Sequence, residues 1–425
     1  MIKIGVLADD FTGATDIASF LVLNGLSTVQ LNAVSDDLAA PDVEAVVISH
    51  KSRSCPVDEA LAQMKKSLQW LLKNGCRQIY FKYCSTFDSS AKGNIGPVTD
   101  MLMQELGTDF TVFQPALPVN GRTVFKGYLF VGDVLLSESG MRNHPITPMT
   151  DSYLPRLVEM QSKGTCGVID VYTVRKGVQA VLDRVAELKA QGYSYAVLDA
   201  VDEGDLLVEG EAFKDLRLVT GGSGLPIGLA RAVREEGSDA ASAMRLGYPQ
   251  GRRAVVLSGS CSVMTNSQVA AYRELAATSA VDVDRLMQAD AGARAAYIEE
   301  MTAFLSEHLE DEYAPLVYAT SDAVTLAAVQ ERYGVAASSS TIENFFADLA
   351  VKMRDLGVER FIIAGGETSS IVTKALGVAG FYIGAPIAPG VPWVRSINNN
   401  LSLTLKSGNF GKEDFFARAQ KEFPV

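Results

Sequence analysis

The sequence predicts an α/β protein of two domains, each with a mainly parallel sheet flanked by helices. Short apolar runs alternate with amphipathic segments almost throughout, which is typical of βα units around parallel sheets. The chain has 425 residues, more than the roughly 250–300 residues that one hydrophobic core usually organises. A polar stretch rich in Gly and Ala at 234–253 separates two sets of βα units. We therefore place an N-terminal domain at 1–245 and a C-terminal domain at 246–425.

In the first domain, apolar runs predict strands, and one long amphipathic segment predicts a helix. The helix covers 57–74, because Leu61, Met64, Leu68 and Leu71 recur at helical spacing and Gly75 follows as a stop. The predicted strands cover 2–8, 43–49, 78–82, 110–114, 167–170, 195–199 and 216–220.

In the second domain, the last three predicted strands are so closely spaced that we expect a mixed sheet. Ser340 and Glu343 have the spacing of a capping box, which predicts a helix that begins there and runs to Leu356. The predicted strands cover 254–257, 316–319, 360–364, 381–387, 391–394 and 401–405.

Composition excludes several classes of protein. The net charge is −12, and no basic run interrupts it, so we expect no nucleic-acid partner. The five cysteines form no CxxC pair, which argues against a disulfide framework or a zinc site. No apolar stretch approaches the length of about 20 residues that spans a membrane. The chain enters a strand pattern at once, without a signal peptide, so we expect a cytoplasmic protein with no membrane partner.

Three glycine-rich turns follow predicted strands in the second domain. Glycine lets backbone N–H groups approach phosphate oxygens, and Ser or Thr at a helix start adds donors. Each turn alone is also how an ordinary strand-to-helix connection is built, but three together favour a nucleotide. None matches GxxxxGK[ST] or a clean GxGxxG. The turns are Ser258-Gly259-Ser260-Cys261-Ser262, Gly365-Gly366-Glu367-Thr368-Ser369-Ser370 and Ser407-Gly408-Asn409-Phe410-Gly411.

A fourth glycine turn, Gly221-Gly222-Ser223-Gly224, belongs to the first domain. It either lines a cleft between the domains or is a plain turn.

Paired aspartates, Asp9 and Asp10, end the first strand of the chain. Ligands of open α/β sheets bind beyond the carboxyl ends of strands, where such a pair could orient a hydroxyl and accept its proton. Alternatively, Asp10 caps the next helix and Asp16 complements its dipole. One aspartate satisfies the cap, so we interpret the pair as functional and Asp16 as structural. Asp10 is the preferred base because it lies further into the turn.

Basic and hydroxyl side chains follow the second and third strands. Arg53 and Lys82 could pair with a substrate carboxylate, while Ser85 and Thr86 could bind hydroxyls. Ordinary charges on exposed loops are the alternative. Two weaker candidates of the same kind are Arg122 and Lys126.

Five motifs together resemble the four-carbon acid sugar kinase family, in the same order and over essentially the whole chain. They are ADDFTGATD, KYCSTFDSSAKGNIGPV, LSGSCS, AGGETS and LKSGNFG. The resemblance implies an N-terminal sugar-acid-binding domain, a C-terminal nucleotide-binding domain and a reaction in the cleft between them. It places Asp9, Asp10, Arg53 and Lys82-Tyr83-Cys84-Ser85 on the acid-sugar side. Ser258, Gly365-Gly366-Glu367-Thr368 and Gly408 fall on the ATP side.

The resemblance further implies a kinase that uses ATP, with Mg²⁺ held mostly by phosphate oxygens and water. Family members acting on threonate or erythronate tend to carry TDSTLRG-like and TKAGGFG-like segments. This chain has Cys84–Ser90 and Leu405–Gly411 there, which resembles the branch acting on 3-oxo-tetronate. D-threonate and D-erythronate remain alternative substrates, and a homodimer is an allowed assembly.

Two other classes of protein compete with this interpretation. An NAD-dependent hydroxy-acid dehydrogenase also needs two α/β domains. This sequence, however, has no clean GxGxxG motif and no obvious catalytic His near a substrate-binding Arg. A non-catalytic sugar-acid sensor would have no use for three phosphate-suited loops.

Overall fold

The computed structural model describes residues 1–35, 37–144 and 147–423. It confirms the predicted α/β fold class. The chain forms two compact units, Met1–Ala243 and Met244–Val425.

The first unit is built on a parallel sheet of strands that are almost entirely buried. Such strands consist of continuous apolar runs, because helices cover both faces of the sheet. The order across the sheet is β2-β3-β1-β4-β11-β5-β10-β9, and each neighbouring pair is parallel. These strands are β1 Ile4–Ala8, β2 Thr28–Leu31, β3 Ala45–Ser49, β4 Gln78–Lys82, β5 Thr111–Gln114, β9 Cys166–Ile169, β10 Tyr195–Leu198 and β11 Leu218–Gly221.

A small antiparallel sheet, β6-β7-β8, is inserted after β5. Its strands are Arg122–Phe125, Tyr128–Val131 and Val134–Leu135. The helices of the unit are α1 Phe11–Leu23, α2 Val57–Lys73, α3 Ile95–Leu106, α4 Leu154–Glu159, α5 Val171–Val174, α6 Val178–Ala190, α7 Glu203–Phe213 and α8 Leu225–Val233, and α9 Ala240–Met244 leads into the second unit.

The second unit contains a mixed sheet of order β13-β14-β12-β15-β18-β17-β16. Pairing is parallel as far as β18 and antiparallel beyond it, as the close spacing of the last strands predicted. Its strands are β12 Ala254–Ser258, β13 Thr278–Ala280, β14 Leu316–Tyr318, β15 Arg360–Ala364, β16 Gly380–Ala388, β17 Val391–Ser396 and β18 Ser402–Lys406. Its helices are α10 Val263–Tyr272, α11 Val283–Gln288, α12 Ala291–Glu307, α13 Ala323–Tyr333, α14 Val335–Asp355, α15 Gly366–Ala375 and α16 Phe415–Lys421.

The predicted helix start at Ser340 is wrong. Helix α14 begins at Val335, directly after Gly334, whose φ of +82° breaks the chain between α13 and α14. A left-handed glycine ends one helix and redirects the backbone, and this break is a stronger boundary than the capping-box pattern. Strands β2, β6, β7, β8 and β13 were not predicted.

Within the described residues, we find no helix that has both the length and the apolar character needed to cross a membrane.

Candidate active site

Three neighbouring strands of the first unit end side by side. Ala8 of β1 is in register with Ser49 of β3 and with Lys82 of β4. Because these strands are parallel, the segments that follow them meet at one edge of the sheet. The aspartate pair, the Arg53 loop and the Lys82–Ser90 segment therefore converge, as the sequence predicted.

Arg53 joins the two aspartates. Its Nε donates to Oδ2 of Asp9 at 2.8 Å, and its Nη2 donates to Oδ1 of Asp9 at 2.9 Å and to Oδ1 of Asp10 at 2.8 Å. Burial raises the pKa of Asp9, and the Arg53 guanidinium opposes that shift. Burial would lower the pKa of Arg53, but the hydrogen bonds and charge of Asp9 raise it above its ordinary value. The three side chains form a charged network around a permanently protonated guanidinium.

Asp10 also caps helix α1. Its Oδ1 accepts from the backbone N of Gly13 at 3.0 Å, so the capping interpretation is correct for this oxygen. In the described part of the chain, no hydrogen bond reaches Oδ2 of Asp10, and the side chain is 30% exposed against 6% for Asp9. Asp10 thus keeps a carboxylate oxygen available, whereas both oxygens of Asp9 are held by Arg53.

Lys82 is buried next to the start of α1, since a Cβ added at Gly13 would lie 2.9 Å from its Nζ. It is too buried to contact a substrate directly. It is 3% exposed, and its Nζ donates to the carbonyl O of Tyr83 at 2.9 Å. Burial raises the pKa values of Asp9 and Asp16, and the positive charge of Lys82 opposes both shifts. A hydrogen bond from Ser223 also opposes the shift at Asp16. Ser223 donates to Oδ2 of Asp16 at 2.5 Å. Asp16 and the Ser223 turn therefore belong to the same charged cluster.

The Cys84–Ser90 segment folds into a tight turn over a buried aromatic anchor. Phe87 is fully buried with a φ of +51° and packs edge-to-face on Tyr83. Cys84 accepts through Sγ from the backbone N of Asp88 at 3.0 Å, and burial raises the pKa of its thiol to about 12. Thr86 donates to Oδ1 of Asp88 at 2.6 Å. Cys84 is thus a neutral thiol that shapes the turn.

Tyr83 does not face a ligand, because it is fully buried and its hydroxyl lies 3.1 Å from Oγ1 of Thr220. Ser85 is half-buried. Among the described residues, its hydroxyl makes no hydrogen bond. It is therefore an available hydroxyl of this segment.

Arg122 and Lys126 lie on the inserted small sheet. Arg122 donates to the carbonyl O of Asn120, and Lys126 pairs with Asp170 at 2.8 Å. In the part of the chain that the structure describes, neither residue forms an ion pair with Asp9 or Asp10. The structure does not join these two basic residues to the aspartate network.

In the second unit, the three glycine-rich loops line one pocket of about 410 Å³. Pockets of this size hold small-molecule ligands and cofactors. The lining also includes apolar residues from α11, α13 and α14, namely Val283, Leu326, Val329 and Ile342. The loop residues on its lining are Gly259, Ser260, Cys261, Gly365, Gly366, Glu367, Thr368 and Gly408.

The start of α15 is the feature of this pocket that is best suited to an anion. The first intrahelical bond there runs from Ser369 N to Gly365 O at 2.8 Å, so the N–H groups of the three preceding residues have no intrahelical acceptor. Gly365 turns the chain with a φ of +127°, and a Cβ added at Gly366 would meet no atom within 4 Å. The helix start is therefore open to an anion, which its dipole favours.

The loop after β12 contributes side chains more than backbone. The N–H groups of Gly259 and Ser260 donate to the carbonyl O of Ala364 at 2.9 and 3.2 Å. Ser258 is fully buried, with its Oγ 2.7 Å from Oγ1 of Thr320, and it does not line the pocket. Ser260 does, so its hydroxyl is the better placed donor of this loop.

One buried residue near the pocket was not predicted from the sequence. Lys406 was not considered, although it directly precedes the Ser407-Gly408 turn at the end of an apolar strand. A lysine at the end of such a strand was the available signal.

Comparisons with known proteins match one family model to each of the two compact units. A model described as the sugar-binding N-terminal domain matches residues 4–229, and one described as the nucleotide-binding C-terminal domain matches residues 255–416. A relative from Pectobacterium atrosepticum named 3-oxo-tetronate kinase is 58% identical over 423 residues, covering 100% of both chains. The chain belongs to the four-carbon acid sugar kinase family.

Other family members share this likeness over nearly the whole chain. A 3-oxo-tetronate kinase of Escherichia coli is 57% identical and covers 92% of this chain and 99% of its own. A solved Haemophilus influenzae protein has a TM-score of 0.91 at 56% identity, with coverage of 99% and 100%. A solved Salmonella typhimurium protein has a TM-score of 0.94 at 55% identity, with both chains fully covered. The predicted resemblance to the family is confirmed.

Proposed function

We propose that the protein is an ATP-dependent kinase that phosphorylates the terminal 4-hydroxyl of 3-oxo-tetronate, giving 3-oxo-tetronate 4-phosphate. The observation that carries this proposal is the full-length likeness, at 58% and 56% identity, to relatives named 3-oxo-tetronate kinase. The separate charged network and glycine-lined pocket support it, because a kinase needs both a proton acceptor and a phosphate-binding site.

On the acid-sugar side, we assign the role of general base to Asp10. Its free Oδ2 accepts the proton of the 4-hydroxyl while Oδ1 stays fixed by Gly13 and Arg53. Asp9 orients Arg53 through two hydrogen bonds. The remaining guanidinium nitrogen, Nη1, is the donor that we assign to the substrate carboxylate.

On the nucleotide side, the N–H groups at the start of α15 bind phosphate oxygens, and Ser260 adds a hydroxyl. The apolar wall of Val283, Leu326 and Ile342 suits a nucleobase. ATP, when bound, supplies the phosphoryl group, and Mg²⁺ supplies positive charge to its phosphates. Glu343 and Glu367 are the carboxylates on the pocket lining that would face the ion.

The phosphoryl group passes directly from ATP to the acid sugar, without a phosphorylated enzyme as intermediate. A bond forms from the 4-oxygen of the acid sugar to the γ-phosphorus, the bond from that phosphorus to ADP breaks, and the hydroxyl proton moves to Asp10. Direct in-line transfer depends mainly on positioning and charge neutralisation, which these residues provide.

The preference for a 3-oxo acid rests on the Cys84–Ser90 segment, which contains no Arg. A ketone at carbon 3 accepts hydrogen bonds but offers no donor, and Ser85 has a hydroxyl free to donate. Burying an unmatched hydroxyl costs roughly 1–3 kcal/mol, which corresponds to about a ten- to hundredfold preference in kcat/KM.

An ADP-release assay with a panel of four-carbon acids tests the proposal. We expect kcat/KM for 3-oxo-tetronate to exceed that for D-threonate and D-erythronate by about ten- to hundredfold. Comparable values would refute the substrate preference and favour the alternative D-threonate or D-erythronate kinase. Absence of ADP release with every acid, together with a thermal shift by NAD and none by ATP, would instead favour the dehydrogenase.

A further inference from the structure

A fully buried lysine, Lys406, stands two residues before Gly408, which lines the pocket of the second unit. Lys406 ends β18 and is 0% exposed. Its Nζ donates to Oγ1 of Thr265 at 2.9 Å, to the carbonyl O of Gly408 at 2.8 Å and to the carbonyl O of Ser407 at 3.1 Å. Within the residues that the structure describes, no carboxylate lies within ion-pair distance of this ammonium.

This arrangement is unfavourable unless a negative charge is bound nearby. Burying an ammonium without a counter-charge is costly, and such a group tends to lose its proton. Burial lowers the pKa of Lys406 to about 8. Its hydroxyl partner, Thr265, is hydrogen-bonded in turn to the hydroxyls of Ser260 and Ser262, and none of these groups carries a charge.

The pocket beside Lys406 lacks a cation of its own. Its described lining includes no Lys or Arg, but it does include Glu343 and Glu367, and burial followed by the charge of Glu367 raises the pKa of Glu343. A polyphosphate placed there would be attracted by the dipole of α15 and, through space, by the buried positive charge of Lys406.

Lys406 also connects two of the loops that line the pocket. Oγ1 of Thr265, which accepts from Lys406, lies 2.8 Å from the carbonyl O of Gly408 and 3.2 Å from Oγ of Ser260. The loops approach so closely that a Cβ added at Gly408 would lie 2.8 Å from Oγ of Ser260. Removal of the ammonium would leave the Thr265 hydroxyl to link the two loops without the support of Lys406.

We propose that Lys406 is a positioning residue that fixes the Ser260 and Gly408 loops and supplies the buried positive charge that the nucleotide phosphates require. This inference rests on the proposed nucleotide-binding function. The inference predicts that nucleotide binding is coupled to protonation. Bound phosphates favour the charged form of Lys406, so ADP binding takes up a proton at any pH where Lys406 is partly neutral in the ligand-free protein.

Calorimetric titration of wild-type protein with Mg²⁺-free ADP tests the coupling without any substitution. At pH 8.5, in two buffers of different ionisation enthalpy, we expect net proton uptake. Between pH 7.5 and 9.5 the Kd should rise by on the order of tenfold, as linkage to one lysine requires. Adenosine, which has no phosphate, should bind with a pH-independent Kd and no proton uptake.

The Lys406→Met variant retains an apolar side chain of similar length and removes the charge. We expect its Kd for ADP to rise by roughly 10- to 100-fold at pH 7.5 and to be independent of pH, while adenosine binds as in the wild type. ADP binding to the wild-type protein without proton uptake would overturn the inference about Lys406 and leave the proposed function standing. A Lys406→Met variant with the wild-type ADP affinity and pH dependence would do the same. Wild-type protein that binds no ADP at any pH would overturn the proposed function as well.

Discussion

In the first unit the candidate site is crowded with charged side chains, whereas the pocket of the second unit is lined mainly by glycines, hydroxyls and apolar groups. Arg53 bridges Asp9 and Asp10 within 2.9 Å. The pocket of the second unit instead presents the start of α15 after Gly365. The difference matches the two tasks: a proton must be removed on one side, and a polyphosphate must be held by backbone groups on the other.

Each unit also contains a buried lysine at the carboxyl end of a strand, but in different surroundings. Lys82 interacts electrostatically with Asp9 and Asp16, so its charge is balanced within the protein. Among the described residues, the Lys406 ammonium donates only to hydroxyl and carbonyl oxygens. The first lysine thus belongs to an existing charged network, while we propose that a bound anion balances the charge of the second.

The largest effect is expected when the base is removed from the first unit. Asp10→Asn should lower kcat by about 10²–10⁴, with the Kd for ADP unchanged, because the second unit is untouched. Asn caps helices about as well as Asp, so α1 should remain intact. Steady-state kinetics and ADP titration measure the two effects.

The control for this substitution is Asp290→Asn, which changes the exposed cap of α12 and should leave kcat unchanged. If Asp10→Asn and the control give the same near-normal kcat, Asp10 acts only as a helix cap.

The next largest effect should come from closing the opening at α15. Gly366→Val places a side chain where the backbone now faces open space, so phosphate can no longer approach the N–H groups. We expect the Kd for ADP to rise by on the order of 100-fold, with binding of the acid sugar retained.

The same substitution at Gly292, in the first turn of α12, is the matched control, since a Cβ there meets only Asp290 at 3.5 Å. An unchanged Kd in Gly366→Val would mean that this loop is only a turn.

The smallest effect concerns a buried carboxyl of the first unit that lies outside the charged network. Glu209 is fully buried on α7, and its Oε2 accepts from Nε2 of Gln114 at 2.7 Å. Burial raises its pKa well above its ordinary value of 4.5. The native state therefore retains a proton that the unfolded state has released, so stability falls as pH rises above about 4.5 toward the native pKa.

Glu209→Gln has no proton to release at this position. Its free energy of unfolding relative to the wild type should increase between pH 5 and pH 8, by at most about 1.4 kcal/mol per pH unit. Urea unfolding at several pH values measures this difference. Parallel pH dependences in the two proteins would show that Glu209 is ionised in the native state.

The sequence could predict the parallel sheets because their buried strands are continuous apolar runs, such as Val6 to Ala8 and Phe361 to Ala364. The inserted strands β6–β8 escaped prediction since they are short and partly exposed, and therefore lack that pattern. Helix α14 was placed wrongly because Gly334, and not the Ser340 motif, sets its start.

The candidate site was predictable in its location and less so in its contacts. Parallel strands bring Asp9, Asp10 and Arg53 to one edge, so their meeting follows from topology. The contact of Arg53 with both aspartates depends on the side-chain rotamers of these three residues. The burial of Ser258, and the position of Ser260 on the pocket lining, depend on local packing. Neither can be read from spacing along the chain.

We assign the acid sugar to the first unit and the nucleotide to the second. Calorimetric titration of Arg53→Lys and Gly366→Val with 3-oxo-tetronate and with ADP tests this assignment most directly. Lysine cannot reproduce the forked guanidinium contacts, so Arg53→Lys should weaken acid-sugar binding by about tenfold or more and leave ADP binding unchanged. Gly366→Val should do the reverse. If both variants weaken the same ligand, or each weakens both ligands equally, the assignment of one ligand to each unit is contradicted.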